Sequence, residues 1–153
     1  MKIKFIWPGE IKEKCLSKLE ADYLKKISRF VKVEKIVFKS RFGEEKNKQI
    51  AYEEAEIEKR CGNLNNLILL TEKGRQMDSF EFARFLENKM NFQSNDIVFA
   101  VGGENGFSGD FLKKGMFLLS LSKMTFTHEF ARIILLEQVY RAFTIIKNIK
   151  YQR

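Results

Sequence analysis

Histidine, proline and tryptophan each occur once in this 153-residue chain, as His128, Pro8 and Trp7, and cysteine occurs twice, as Cys15 and Cys61. One histidine and two distant cysteines argue against a zinc site and against a Cys-His enzyme, so no metal is expected. The cysteines lack metal or redox spacing and read as reduced, part-buried thiols of a cytoplasmic protein. No run approaches the ~18 apolar residues of a membrane span. The opening MKIKFIWPGE is too short and too soon interrupted for a signal peptide. There is no internal repeat, low-complexity stretch or proline-rich linker, and residues 1–153 read as one domain.

What is present is a globular composition, 44% hydrophobic and 31% charged. Lysine and arginine number 28 against 20 aspartates and glutamates, a net charge of +8. That excess favours an acidic partner, nucleic acid first; a basic surface without such a partner is the alternative.

Ile3, Phe5 and Trp7 alternate along a first strand that Pro8-Gly9 ends. Ile11, Cys15, Leu19, Tyr23 and Ile27 recur at four-residue steps, the inner face of an amphipathic helix. Val31 to Phe38 is a second strand. The polar loop Lys39 to Lys48 carries Lys39, Arg41, Lys46 and Lys48, either a solvated charge run or an arm that touches phosphate. The next helix turns Ile50, Ala51, Ala55 and Ile57 inward and its glutamates outward. Leu67 to Leu70 is short and wholly apolar, as a doubly covered strand should be. A polar loop, Thr71 to Met77, precedes Asp78 and Glu81, spaced as a capping box. Phe82, Ala83, Leu86 and Met90 face inward from the helix that follows. Asp96 to Val101 is a buried strand, then come a glycine-rich loop, a short helix through Phe111 and Leu112, and a strand from Phe117 to Leu121. Strands and helices alternate throughout, which predicts an α/β fold with a mostly parallel sheet flanked by helices.

The last helix organises the rest. From Phe130 to Ile146 only Arg132, Glu137, Gln138, Arg141 and Thr144 are neither apolar nor aromatic. Its apolar arc is far wider than the stripe of roughly 100° that one core contact needs. That predicts burial on two sides, one by the domain and one by a second subunit. Arg132 falls inside the arc and needs a partner or ligand, either at a shared active site or in an ion pair across a dimer.

Ligands of open α/β sheets bind beyond the carboxyl ends of the strands. The candidates are Leu70-Thr71, Val101-Gly102-Gly103 and Leu121 to Phe126. VGGENG is neither the dinucleotide fingerprint nor a P-loop. The residues alone therefore indicate a cofactor site without naming the cofactor. His128 reads as a general base or as a helix cap, Glu104 is equally open, and Met124 reads as packing.

Val101-Gly102-Gly103-Glu104-Asn105-Gly106, Leu121-Ser122-Lys123-Met124-Thr125-Phe126 with His128, and Glu137-Gln138-Val139-Tyr140-Arg141-Ala142-Phe143 together closely resemble the RlmH family of the SPOUT superfamily. The likeness spans nearly the whole length and is strongest in the last third. It implies a homodimer with a C-terminal trefoil knot, an exception to the unknotted rule. It implies S-adenosyl-L-methionine as cofactor, held at Leu70, Gly102, Leu121, Ser122, Lys123, Met124, Thr125 and Phe126. It implies methylation of N3 of a pseudouridine in 23S rRNA of the assembled ribosome. The family's tail lies at the active site. Here the tail is Lys150-Tyr151-Gln152-Arg153, with Tyr151 able to stack on a base and Arg153 able to meet phosphate, so Arg132, Tyr151 and Arg153 are the expected catalytic residues. Gln152 stands where the family usually has histidine, and Thr127 where it commonly has proline. The Gln152 departure leaves a second reading, a catalytically weak rRNA-binding or ribosome assembly protein on the same fold.

Overall fold

The computed structural model describes residues 1–41, 43–92, 96–114 and 117–151. Five strands, β1 (Lys2–Pro8), β2 (Lys32–Phe38), β3 (Leu67–Gln76), β4 (Ile97–Ala100) and β5 (Phe117–Ser120), form one sheet in the order β2-β1-β4-β3-β5. Every pairing is parallel. The helices are α1 (Lys14–Ile27), α2 (Lys46–Cys61), α3 (Ser79–Phe92), α4 (Gly109–Lys114) and α5 (His128–Ile146).

Alternation along the strands divides the core. Ile3, Phe5, Trp7, Ile68, Ile97 and Phe99 pack under α1, α3 and α5. Ile6, Leu67, Leu69, Val98 and Ala100 point the other way, toward Ile57 and Cys61 of α2 and Phe111 of α4. The inner strands are buried on both faces, which explains why they read as unbroken apolar runs.

Several local expectations are met in detail. Asp78 Oδ1 accepts from the Glu81 backbone N–H at 2.7 Å and Glu81 Oε2 from that of Asp78 at 2.8 Å, a complete capping box. Thr127 caps α5, its hydroxyl accepting from Phe130 N at 3.4 Å. Thr127 has φ −60°, a value that proline also adopts, so the exchange of proline for threonine leaves this backbone unstrained.

Three expectations are corrected. Residues 71–76 are not a loop: β3 continues to Gln76, its ladder with β5 interrupted between Leu70 and Arg75. Gly74 permits this, since a Cβ there would stand 2.6 Å from the Leu118 carbonyl. Cys15 is exposed, as is Leu19; Ile11 lies before α1 begins, and Glu20 and Ile27 are that helix's buried positions. Ala51 and Ala55 are exposed whereas Gln49 and Glu53 are buried, because α2 turns the line 49-53-57-61 toward the sheet. The last helix, α5, lies between α1 and α3 on the sheet. Two helices of the same chain thus cover much of its apolar arc, while Phe130 near its amino end stays exposed.

Candidate cofactor cleft

A cleft of about 550 Å³ opens over the carboxyl ends of β4 and β5 and the middle of β3, where its ladder with β5 is interrupted. It is lined by three segments: Leu70 to Glu72, Val101 to Gly106, and Leu121 to Ala131 with Lys123, Glu129 and Phe130 excepted. The size suits a small cofactor. Of the eight residues expected to hold one, Leu70, Gly102, Leu121, Ser122, Met124, Thr125 and Phe126 line it; Lys123 is exposed in the same loop and stands off the lining.

Each wall has a local cause. The glycine loop is closed by Gly106 N donating to Gly103 O at 3.1 Å, with Gly106 at φ +66°. A Cβ on Gly102 would press on Gly106 O at 3.2 Å, so this residue is glycine for lack of room. The loop after β5 is shaped by serines: Ser120 Oγ donates to Ser122 O at 2.9 Å, and Ser122 Oγ accepts from Met124 N at 3.0 Å. The amino end of α5 supplies Thr127, His128 and Ala131.

The described lining contains Glu72 and Glu104 and no lysine or arginine. Burial, and then the charge of Arg132, lowers the His128 pKa, so its imidazole is neutral at neutral pH. A site with two carboxylates and no cation suits a ligand carrying positive charge, as a sulfonium and an ammonium do. Among the described residues no cluster of His, Cys, Asp and Glu is placed to hold a metal ion. No described helix is long and apolar enough to cross a membrane.

Arg132 and Tyr151 are elsewhere. Arg132 is fully buried beside the cleft-lining Ala131 but turns into the core. Its Nη1 and Nη2 donate to Gly9 O at 2.9 Å and Pro8 O at 2.6 Å, and its guanidinium lies 5.4 Å from the Trp7 ring. It therefore caps the carbonyls where β1 ends. Burial brings its pKa down to about 10, which leaves it charged at neutral pH.

Tyr151 packs edge-on against Tyr140 at 4.9 Å, under the Arg141 guanidinium, and its hydroxyl lies 3.3 Å from Glu137 Oε1. Burial, with a hydrogen bond to Tyr23, pushes its pKa up to about 12. The tail is thus docked on its own chain as far as Tyr151. Glu137 is nine residues beyond His128 on α5, about 14 Å along the axis, so Tyr151 does not line this cleft. Gln152 and Arg153 lie outside the described residues. In the Lys39–Lys48 segment, Arg41 stacks on Tyr52 at 3.9 Å and Tyr52 donates to Lys39 O at 3.0 Å.

The sequence reading found α2 as a helix but missed its hold on the cleft loop. Glu53 Oε2 accepts from Gly103 N at 3.0 Å, and Glu54 Oε1 from Ser108 N at 2.6 Å. The available signal was Gln49 and Glu53 falling in line with Ile57 and Cys61 at four-residue steps.

A parallel sheet with a glycine-walled cleft over its strand ends defines a class: an α/β protein that takes a small molecule at those ends. The profile of a family described as "Predicted SPOUT methyltransferase" matches residues 1–152, and the chain belongs to that family. It is 36% identical over 151 residues to the ribosomal RNA large subunit methyltransferase H of Pelobacter propionicus, covering 99% of each chain. It is 38% identical over 157 residues to the protein of the same name from Caldicellulosiruptor saccharolyticus, again covering 99% of each. A probable methylase family protein from Haemophilus influenzae Rd KW20 shares the fold, with TM-score 0.58 at 14% identity over 99% of this chain and 70% of that one.

Proposed function

We propose that this protein transfers a methyl group from S-adenosyl-L-methionine to N3 of a pseudouridine in 23S rRNA of the assembled ribosome. The observation that carries the reading is the cleft itself. The segments Leu70, Gly102 and Leu121–Phe126, which resemblance assigns to the cofactor, converge on one cleft whose charged lining is acidic. Full-length similarity to proteins named ribosomal RNA large subunit methyltransferase H supports the substrate class.

The sulfonium supplies an already activated methyl group. The chain's own residues have to hold and aim. The backbone at Gly102 admits close approach, Glu72 and Glu104 complement positive charge, and Met124, Phe126 and Leu70 offer apolar surface. A neutral His128 on the lining can accept a hydrogen bond from the base or its proton. Tyr151, protonated to about pH 12, binds and does not act as a base.

The reading includes a homodimer and the C-terminal trefoil knot, both supported by the resemblance. Geometry adds one argument for the dimer. Tyr151 is seated away from its own cleft, so a tail that handles substrate must serve the cleft of a second subunit, and two-fold symmetry makes that service mutual. Phe126, Phe130 and Met124 are exposed beside the cleft and offer apolar surface for that partner. Arg132 acts from behind the site, by holding the end of β1 and by adding its charge to the burial that lowers the His128 pKa.

The test is methyl transfer from labelled cofactor to ribosomes of a strain lacking the gene, with mass mapping of 23S rRNA. Methylation of one pseudouridine is expected. Cofactor binding without transfer would favour an assembly protein on the same fold.

A further inference from the structure

The glycine loop does not hold its shape alone. α2 passes beneath it, and two of its residues one turn apart reach up. Glu53, 1% exposed, accepts from Gly103 N at 3.0 Å and from Gln49 Nε2 at 3.3 Å. Gln49, 2% exposed, in turn accepts from Asn105 Nδ2 at 3.3 Å through its Oε1. Gly103 and Asn105 both line the cleft. The loop is thus stapled at two points to one pair of buried side chains. The fit is close: a Cβ on Gly103 would stand 2.6 Å from Glu53 Oε1 and 2.9 Å from Oε2. Gly103 is glycine so that a carboxylate can approach its backbone. Glu54 extends the grip to Ser108 N and Glu58 to Lys114 Nζ, so α2 holds the whole segment from the loop through α4.

A buried carboxylate is costly to keep, and burial accordingly raises the Glu53 pKa. An apolar residue in line with Ile57 would pack more favourably. What the carboxylate adds is two directed acceptor bonds, one to a cleft amide and one to the amide relay that ends on Asn105.

We propose that Glu53 is a positioning residue for the cofactor: with Gln49 it preorganises the Gly102–Gly106 loop in its ligand-binding shape before the ligand arrives. The inference rests on the cofactor reading above and adds a residue outside the cleft to it. Preorganisation lowers the ordering cost that binding would otherwise carry. Glutamine at position 53 can restore the pattern, since one amide oxygen accepts from Gly103 N while flipped amides at 49 and 105 complete the relay. Alanine cannot, and leaves the Gly103 N–H without its acceptor.

Two measurements on purified protein test this. Hydrogen exchange, read by mass spectrometry without cofactor, reports the order of residues 101–108, and calorimetry reports affinity for S-adenosyl-L-methionine. Glu53→Ala should speed loop exchange and weaken binding by at least about tenfold each. Glu53→Gln should recover most of both, which a merely space-filling role would not give. Gly103→Ala leaves α2 intact but displaces the carboxylate, so it should reproduce Glu53→Ala and decides the matter if that variant does not fold. Wild-type exchange and affinity in a folded Glu53→Ala would overturn the inference alone. Failure of the wild type to bind would overturn it together with the cofactor reading, and the exchange data would tell the two cases apart.

Discussion

The two faces of the sheet are covered by different chemistry. Under α1, α3 and α5 the contacts are apolar and aromatic: Phe30 stacks on Phe143 at 5.4 Å, Phe5 on Phe99 at 5.7 Å, and the buried charge of Arg132 goes to main-chain carbonyls. Under α2 and α4 the apolar patch is smaller, and the helices spend part of their inward surface on Gln49, Glu53 and Glu54, which hold the cleft loop. One face secures the fold; the other secures the site. The lesson is that a buried polar residue means different things on the two faces. Arg132 ties a helix to a strand end, while Glu53 ties a helix to a ligand loop.

The largest break comes from the apolar face. Val139 is fully buried, and Asp there strands an unpaired charge in the core. Val139→Asp should cost about 4 kcal/mol or more and leave no cooperative urea transition; a folded, merely monomeric variant would show that this position faces a partner.

Arg132→Ala comes next, since it leaves the Pro8 and Gly9 carbonyls without donors and opens a cavity. A loss of roughly 2–4 kcal/mol is expected in urea denaturation. A variant of native stability that has lost methyl transfer would instead return Arg132 to the active site.

On the cleft side, Gly102→Val should fold, because the clash is with Gly106 O and Phe107 in the loop, and should weaken cofactor binding beyond about tenfold by calorimetry. Unchanged affinity would remove the loop from the site.

Phe130 is 52% exposed. Phe130→Asp should change monomer stability by no more than ~0.5 kcal/mol, yet shift sedimentation from dimer toward monomer. An unaltered dimer would place the interface elsewhere.

The smallest effect concerns pH. Burial raises the Glu53 pKa, so the folded chain holds that proton more tightly than the unfolded one. Its contribution to stability is full below the ordinary carboxylate pKa and falls away as pH rises through the raised value. The melting temperature of Glu53→Gln should therefore gain on wild type with rising pH. A difference that is flat in pH would mean that Glu53 is not held neutral-favouring by its surroundings.

Periodicity and punctuation determined a good deal by themselves. The order of strands and helices, the capping box at Asp78, the doubly buried runs of β3 and β4, and the three segments that meet at the cleft were all legible, because each depends on neighbours within a few residues. Seven of the eight expected cofactor residues reached the cleft for the same reason: apolar runs are local, and parallel pairing brings their carboxyl-side residues together. Tertiary structure decided what composition left open. How much of the wide arc of α5 its own chain covers depends on where α1 and α3 pack. Whether Arg132 faces ligand or backbone depends on the carbonyls left free where β1 ends. The continuation of β3 past Thr71 required the bare backbone of Gly74 against Leu118, a contact between strands distant in sequence. Glu53 lies 50 residues before the amide it holds. A glutamate on an acidic helix looks like solvent-facing charge until the fold lays that helix beneath a glycine loop, and only then does its burial acquire a compensating bond.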